Sequence, residues 1–369
     1  MSKDGGSELM HNSNILLCGG GTGGHYYPLM AIKKDLELKS DYKFCYVGAK
    51  KGIENSRIQN EKIDYKLVSI SGIQRSISTK AIFNNIKTSI NIFFGFFVVI
   101  NFFLKQKPDI VISTGGYSSY LPLQIAKILR VPYVLHEQNS YPGVVTKMFS
   151  SKAKAIFLGF ENANKYMKKS KTIFSGNPIL LSQTEDLDLK LNRNLKTILI
   201  FGGSQGSKFL NEKIKILVEN EQFSFANIIW IVGEKNYDSL KHLSDKNVII
   251  MSYCNSMSSM YQKVDLVVSR SGAMTIAELI HFEKPSILIP FKFSSENHQY
   301  YNAKYLQDKL CSTLIEEDLF DSEIFLEKVE NICSNERIIG AMVENFQQIE
   351  TPSTLDIISD FIIKEKYAL

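Results

Sequence analysis

The sequence lacks most of the short signatures that assign a chemistry on sight. Its five cysteines (Cys18, Cys45, Cys254, Cys311, Cys333) are scattered and make no C-x-x-C pair, which suits reduced thiols. There is no H-E-x-x-H and no cysteine–histidine cluster, so metal sites are poorly supported. No G-x-S-x-G elbow and no Walker lysine pattern occurs. No uninterrupted run reaches the roughly 20 apolar residues of a confident spanning helix. The first residues, MSKDGGSELMHNSN, are polar and hold no apolar core, so no signal peptide is expected and the chain should stay cytoplasmic. The net charge of +5 is mild: it gives no argument for nucleic acid, though local basic clusters suit anionic lipid.

What is present is ordinary globular material, 44% hydrophobic and 22% charged, in 369 residues. That length exceeds the size at which one core keeps growing, so two domains are expected. The chain is organised around ILLCGGGTGGHYYP, residues 15–28. A buried strand empties into Gly19 to Gly24, then His25, then a helical pattern at Leu29, Ile32 and Leu36. Strand, glycine loop and helix present backbone N–H groups and a positive helix end to an anion. His25, an imidazole, can take a proton from whatever the loop holds. The alternative is a tight turn with a buried, satisfied histidine. Gly19, Gly21 and Gly24 fit the dinucleotide pattern, but the second strand (44–47) ends in Gly48-Ala49-Lys50 without the acid that a ribose would require, which disfavours NAD.

Strands are expected at 15–18, 44–47, 110–113, 133–136, 155–158 and 172–175, alternating with helical patterns, which implies an α/β, doubly wound parallel sheet. Asn177-Pro178 breaks the pattern, and residues 183–194 read as a charged linker in which Asp186-Leu187-Asp188 is a solvated D-x-D. The second half restarts with a strand at 197–201, the loop Gly202-Gly203-Ser204-Gln205-Gly206, and further strands at 228–232, 248–251, 266–269 and 286–290. Two facing domains with a cleft between them follow. Residues 90–104, INIFFGFFVVINFFL, are either a buried core helix or a face laid into a bilayer surface. The second reading is favoured by the flanking Arg75, Lys80, Lys87, Lys105 and Lys107.

Four further stretches carry candidate chemistry. Thr114-Gly115-Gly116-Tyr117 puts glycines and hydroxyls at a strand end, as a ligand loop or a plain turn. His136-Glu137-Gln138-Asn139 follows a buried strand, so these groups bond each other or line the cleft, with Asn139 the stronger contact. Ser269 to Leu279 is a strand, a Ser-Gly turn and a helix whose start suits a diphosphate. Glu278 could there accept two hydrogen bonds from a ribose diol, or simply sit as a charge near a helix N-terminus. Gln299 and Asn302 share a helix face, as sugar-hydroxyl partners or a solvated helix start.

Together these loops resemble the MurG family of bacterial glycosyltransferases. The matching stretches are Gly20-Thr22-Gly23-Gly24-His25 with Pro28, Gly115-Gly116-Tyr117, His136-Glu137-Gln138-Asn139 and Gly176-Asn177-Pro178. Gly202 to Gly206, Arg270-Ser271-Gly272-Ala273 through Glu278, and Gln299-Tyr300 with Asn302-Ala303 complete the set, in order over residues 14–305. The resemblance implies a GT-B fold of two Rossmann-like domains: residues 1–178 facing acceptor and membrane, and 179–352 binding the UDP-sugar. A last helix, about 353–369, would pack back onto the first domain. It implies inverting, metal-independent transfer of N-acetylglucosamine from UDP-N-acetylglucosamine to a lipid-linked muramyl-pentapeptide, with no cofactor. His25 is the implied general base. Ser204 would touch the diphosphate and backbone near Cys254 the uracil. Ala273, Met274, Thr275, Ile276, Ala277 and Glu278 would run along the donor, with Glu278 on the ribose. Gln299 and Asn302 would hold the sugar. Thr22, Gly23, Gly24 and Asn139 would close the cleft, with Gly115, Gly116, Tyr117 and Glu137 on the acceptor side. It also implies a peripheral place on the cytoplasmic face of the inner membrane, held at an anionic surface through about residues 75–107. Where the family pattern wants an arginine near the donor base, this chain has Leu180; either Lys190 or Arg193 replaces it, or stacking and backbone contacts do. A related enzyme with another lipid acceptor, a nucleotide-sugar epimerase, or a non-catalytic nucleotide-sugar binder are the rival readings.

Overall fold

Short apolar runs bounded by glycine become the inner strands of two open parallel sheets, because an all-parallel strand buried on both faces has no polar side to show. The structure, a computed structural model, describes residues 13–72, 78–167, 170–180, 185, 187, 189–203 and 206–366. The first sheet comprises β1 (Asn14–Gly19), β2 (Lys43–Ala49), β3 (Asp64–Val68), β4 (Ile110–Gly115), β5 (Tyr133–Glu137), β6 (Ile156–Leu158) and β7 (Thr172–Phe174). The second comprises β8 (Lys196–Phe201), β9 (Ala226–Ile231), β10 (Val248–Met251), β11 (Leu266–Ser269), β12 (Ser286–Leu288) and β13 (Ser312–Leu314). Their orders are β3-β2-β1-β4-β5-β6-β7 and β10-β9-β8-β11-β12-β13. Both therefore reverse direction at one point, between β1 and β4 and between β8 and β11, and the loops leaving those strands border a crevice. The expected doubly wound class is the observed one.

Successive residues of β1 serve opposite faces: Leu16 and Cys18 join one apolar cluster, Ile15 and Leu17 another. Two strands escaped the sequence reading. In β3, Asp64, Tyr65 and Lys66 are exposed on a sheet edge, so no apolar run marks it, and β13 is three residues long on the opposite sheet's edge. Within the stretch read as a solvated linker, Leu187, Leu189 and Leu191 pack against the second sheet's core. Their alternate spacing is that of an extended segment lying on a surface. Asp186 and Asp188 lie outside the described residues.

The apolar segment read at 90–104 is part of a longer helix, Thr79–Gln106, extended at its start by polar residues that dilute the signal. Its stretch Ile82–Gln106 is long and apolar enough to cross a bilayer by length and composition alone. Yet Val99 and Phe103 are buried in the first sheet's core, and Gly95 lets Leu121 approach so closely that a Cβ would sit 2.9 Å from its methyl. The helix thus lies along the domain, with its other face outward.

The last helix, Thr354–Lys366, buries Ile358 and Ile362 in the cluster that holds Ile15 and Leu17. Lys39 pairs with Asp356 at 2.6 Å and Lys154 with Glu365 at 3.3 Å around it, and the Ser359 hydroxyl donates to Asp35. Ile358→Ala should cost about 2–4 kcal/mol by emptying a fully buried site. Urea unfolding followed by circular dichroism would measure it; an unchanged midpoint would mean that the helix is not anchored there.

Candidate active site

The carboxyl ends of both sheets open into one cleft of about 1950 Å³. From the first half it is lined by Thr22, Gly23, Gly24, His25, Gly116, Tyr117 and Asn139. The second half contributes Cys254, Ala273, Met274, Thr275, Glu278 and Gln299. The structure therefore brings together most of the residues singled out from sequence, on both sides of one space.

His25 stands in the first turn of the helix Gly23–Lys39, partly exposed to the cleft. The imidazole packs on Gly116, where a Cβ would lie 2.9 Å from Cδ2 of the ring, and Gly116 has φ +79°; both facts require glycine. Its Nδ1 lies 2.8 Å from the Thr114 carbonyl oxygen and 2.8 Å from Oε1 of Gln138. A carbonyl only accepts, so Nδ1 is the donor and Nε2 keeps its lone pair. The histidine is neither buried in an apolar interior nor walled off: Gly272 of the opposite half borders the same cleft.

The first glycine loop does not receive an external anion along its whole length, as the sequence reading supposed. Glu54 is fully buried, and its carboxylate accepts from the Gly21 N–H and the Ala49 N–H, each at 2.8 Å. Nothing in the residues around position 54 announces this. The helix start at Gly23–Gly24 carries no side-chain cap and remains on the cleft. Glu137 is likewise internal. It is 1% exposed, with one carboxylate oxygen accepting from the Asn139 N–H and amide and the other from the Gly143 N–H, all within 3.1 Å. It shapes the turn after β5 instead of facing an acceptor. Gly115 is buried beneath the His25 ring, away from the cleft.

On the second side the helix Ala273–His281 begins at Gly272 with no side-chain cap, so its first N–H groups have no intrahelical partner and front the cleft. The helical turn divides its residues. Ala273, Met274, Thr275 and Glu278 face the cleft, whereas Ile276 is fully buried in the core and Ala277 borders a small crevice behind the helix. Ile276 and Ala277 thus have no side chain toward a ligand in the cleft. Tyr261 donates to Glu278 at 2.9 Å, and burial pushes the Glu278 carboxyl up to about 7. Gln299 accepts the Phe291 N–H at 2.9 Å and still lines the cleft. Asn302 is fully buried and committed: it accepts from the Ser140 N–H at 2.9 Å and donates to Asn139 and to the Ser271 carbonyl, each at 3.2 Å. In this closed arrangement it joins the two halves and does not reach the cleft. Ser204 lies outside the described residues.

Arg270 was quoted in the sequence without a role. Its guanidinium is sandwiched between Phe209 and Phe291, 5.6 Å from each ring centroid. It donates to Ser207, to the Ile289 and Pro290 carbonyls and to Glu317, which ties the second glycine loop to the β12 loop. Leu180 lines the cleft, but neither Lys190 nor Arg193 does; the basic side chains bordering it are Lys208 and Arg270. Of the two alternatives for the missing arginine, replacement by Lys190 or Arg193 is the one the cleft lining does not support. Phe282 and Tyr261, stacked at 5.2 Å, and the segment from Ser252 to Asn255 border the same end of the cleft as Glu278.

Residues 15–158 match the glycosyltransferase family 28 N-terminal domain, and residues 197–354 match the glycosyltransferase family 28 C-terminal domain. The chain is 37% identical over 367 residues to the UDP-N-acetylglucosamine--N-acetylmuramyl-(pentapeptide) pyrophosphoryl-undecaprenol N-acetylglucosamine transferase of Flavobacterium psychrophilum, covering 96% of this chain and 98% of that one. It is 32% identical to the enzyme of the same name from Bacillus pumilus, over 92% of this chain and 95% of that one. Among solved structures, MurG of Acinetobacter baumannii superposes with a TM-score of 0.74 over 95% of this chain and 99% of that one, at 22% identity. The calicheamicin glycosyltransferase CalG4 does so at 0.71 over 96% and 98%, at 11% identity. At such identities the likeness speaks for the fold, which is the GT-B arrangement.

The raised Glu278 carboxyl makes a signed prediction. With a folded value of about 7 against an ordinary 4.5, the native state holds a proton that the unfolded chain has lost. Its contribution to stability is complete below 4.5 and disappears as pH rises through about 7. Relative to Glu278→Gln, the unliganded wild type should lose on the order of 3 kcal/mol between those limits. Urea midpoints of both proteins across the window would show it; parallel curves would refute the shift.

Proposed function

Because the chain belongs to glycosyltransferase family 28, among the MurG transferases, we propose that its cleft carries N-acetylglucosamine from UDP-N-acetylglucosamine to the C4 hydroxyl of undecaprenyl-diphospho-N-acetylmuramoyl-pentapeptide. The transfer belongs to peptidoglycan synthesis. The observation that carries the site assignment is a juxtaposition. A histidine with its Nε2 lone pair free, and a helix start with its amides uncapped, border one space from opposite domains.

The reaction is a single displacement with inversion. The acceptor hydroxyl oxygen bonds to the anomeric carbon as the bond from that carbon to the diphosphate oxygen breaks. His25 Nε2 takes the hydroxyl proton, and the diphosphate leaves with the bonding electron pair. Negative charge grows on the leaving diphosphate, where amides of the Ala273 helix start and the loop ending at Gly206 stabilise it without rearranging. Glu278 receives the ribose hydroxyls, Gln299 the sugar, and the segment at Cys254 the base, with Phe282 and Tyr261 beside it in place of the missing arginine. Residues 179–352 form the donor side. Residues 1–178, with the returning last helix, form the acceptor side, where Thr22 to Gly24, Gly116 and Tyr117 meet the acceptor.

The acceptor is a lipid, and the outward face of the helix Thr79–Gln106 suits its surroundings. Phe93, Phe94 and Phe97 are 61%, 63% and 55% exposed, in company with Phe83, Ile86 and Ile90. Lys80, Lys87, Lys105 and Lys107 flank them; Arg75 lies outside the described residues. An apolar stripe with basic borders suits an anionic interface as a peripheral anchor, which supports reading the enzyme as peripheral on the cytoplasmic face of the inner membrane.

Incubating the purified protein with labelled UDP-N-acetylglucosamine and separate acceptors tests the activity. Label should enter the muramyl-pentapeptide lipid; transfer to diacylglycerol instead, or to no acceptor, would overturn the assignment. His25→Ala should lower kcat about 10²–10⁴-fold with UDP affinity kept, and an undiminished kcat would remove the base. The double change Phe93→Glu with Phe97→Glu should cut co-sedimentation with phosphatidylglycerol vesicles at least about tenfold, since each buried phenylalanine contributes roughly 1.5–3 kcal/mol. Equal binding would move the anchor elsewhere.

A further inference from the structure

His25 is the last member of a chain of side-chain hydrogen bonds that runs inward from the cleft. Its Nδ1 donates to Gln138 Oε1 at 2.8 Å. The Gln138 amide donates from Nε2 to the His136 carbonyl oxygen at 2.8 Å and to His136 Nδ1 at 2.9 Å. His136 Nε2 donates to the Gly176 carbonyl oxygen at 3.1 Å. Gln138 and His136 are each 1% exposed. Three of the acceptors along this chain are backbone carbonyls (Thr114, His136 and Gly176), and a backbone carbonyl can play no other part. Every proton is thereby assigned. Gly176 puts the His136 proton on Nε2. That leaves His136 Nδ1 as an acceptor, so the NH₂ end of Gln138 must face it. The carbonyl end of Gln138 then faces His25, whose proton sits on Nδ1.

We propose that Gln138 and His136 are positioning residues for the transfer, a buried pair that holds His25 in the one tautomer whose Nε2 lone pair faces the acceptor. The proposal rests on the reading of His25 as the base. Turning the Gln138 amide over would set its NH₂ against the His25 N–H and its oxygen against the His136 carbonyl, two like-with-like contacts at a side chain only 1% exposed. Burial also holds the His136 imidazole well below its ordinary range, at about 4, so it does not gain a second proton that would evict the Gln138 amide. The chain ends at the turn where the backbone leaves the first sheet. There Asn177 donates to the Gln138 carbonyl at 3.0 Å, which fixes the backbone of the same residue.

Ring-nitrogen NMR of the full-length protein labelled with ¹⁵N-histidine reads the tautomer directly, with His25→Ala to identify the signal. At about pH 8 the wild type should show His25 neutral and protonated on Nδ1. In Gln138→Met and His136→Leu both tautomers should appear. Their kcat should fall about 10–100-fold, part of the 10²–10⁴ that a general base supplies, while KM for donor and acceptor stays unchanged. His136→Asn, whose side-chain carbonyl can take the place of Nδ1, should restore both readouts. Gln138→Asn, one methylene too short to span the two histidines, gives the same test if Gln138→Met fails to fold. An unchanged His25 spectrum in these variants, or a wild type protonated on Nε2, overturns the proposal even if kcat falls. If the variants shift the tautomer while His25→Ala keeps its kcat, the positioning stands and the base assignment falls.

Discussion

One amide joins the two halves of the molecule at the cleft. Asn302 grips the backbone of Ser140 and the side chain of Asn139 from one side and the Ser271 carbonyl from the other. It is fully buried, so each bond is made where an unmade one would be costly. Around it, Tyr141 stacks on Tyr301 at 5.1 Å, Lys147 lies 4.5 Å over the Tyr141 ring, and Lys147 also pairs with Glu296 at 3.6 Å. The pair with Glu296 is partly solvated and worth little by itself; the buried amide is directional and fixes registry. Because Ser271 lies next to Gly272, where the uncapped helix begins, and Asn139 immediately follows Gln138, this strut sets how His25 stands to the amides of the Ala273 helix start.

The consequence is a division of labour that runs through the whole site. The buried Glu54, His136, Glu137, Gln138 and Asn302 side chains are bonded to one another and to backbone, and they make shape. Among the groups left open to the cleft are backbone amides at helix starts and the His25 imidazole, beside Glu278 and Gln299. Backbone amides cost nothing to reorganise during a reaction, which is why they stabilise developing charge well. Arg270 follows the same logic. A cation held by four hydrogen bonds, to Ser207, two carbonyls and Glu317, acts as a bracket for the second glycine loop.

Local grammar was readable in the sequence and long-range bonding was not. Strand, glycine loop and helix announce themselves within about fifteen residues, because period and punctuation are local properties. The two parallel sheets follow from them, and most of the site residues named from sequence line the cleft. β3 was missed because an exposed edge strand needs no apolar run. Asn302 was read as a sugar contact because its partners, Ser140 and Asn139, lie 162 and 163 positions away. Glu54 carried no signal, since a buried carboxylate serving Gly21 from 33 positions away looks like any surface acid. The His136 to Asn139 run was correctly marked as either self-bonded or cleft-facing. It is both: Glu137 and His136 turn inward, while Gln138 and Asn139 reach the cleft's edge.

The two halves open with the same strand, loop and helix, yet they are not equivalent toward anions. In the first, the Glu54 carboxylate already occupies the amide of Gly21, and a Cβ at Gly20 would lie 2.6 Å from it. A diphosphate brought to that part of the loop would meet a buried negative charge and find its donor taken. In the second, nothing among the described residues comes within 4 Å of a Cβ placed at Gly203, and the Ala273 helix start has no side-chain cap. One internal carboxylate thus breaks the near-symmetry of a repeated fold. The half that carries it presents a histidine and a short stretch of free helix start, and the half without it is the better cradle for a charged leaving group. The difference between the two sides of the cleft toward anions follows from which of two similar loops has its anion built in.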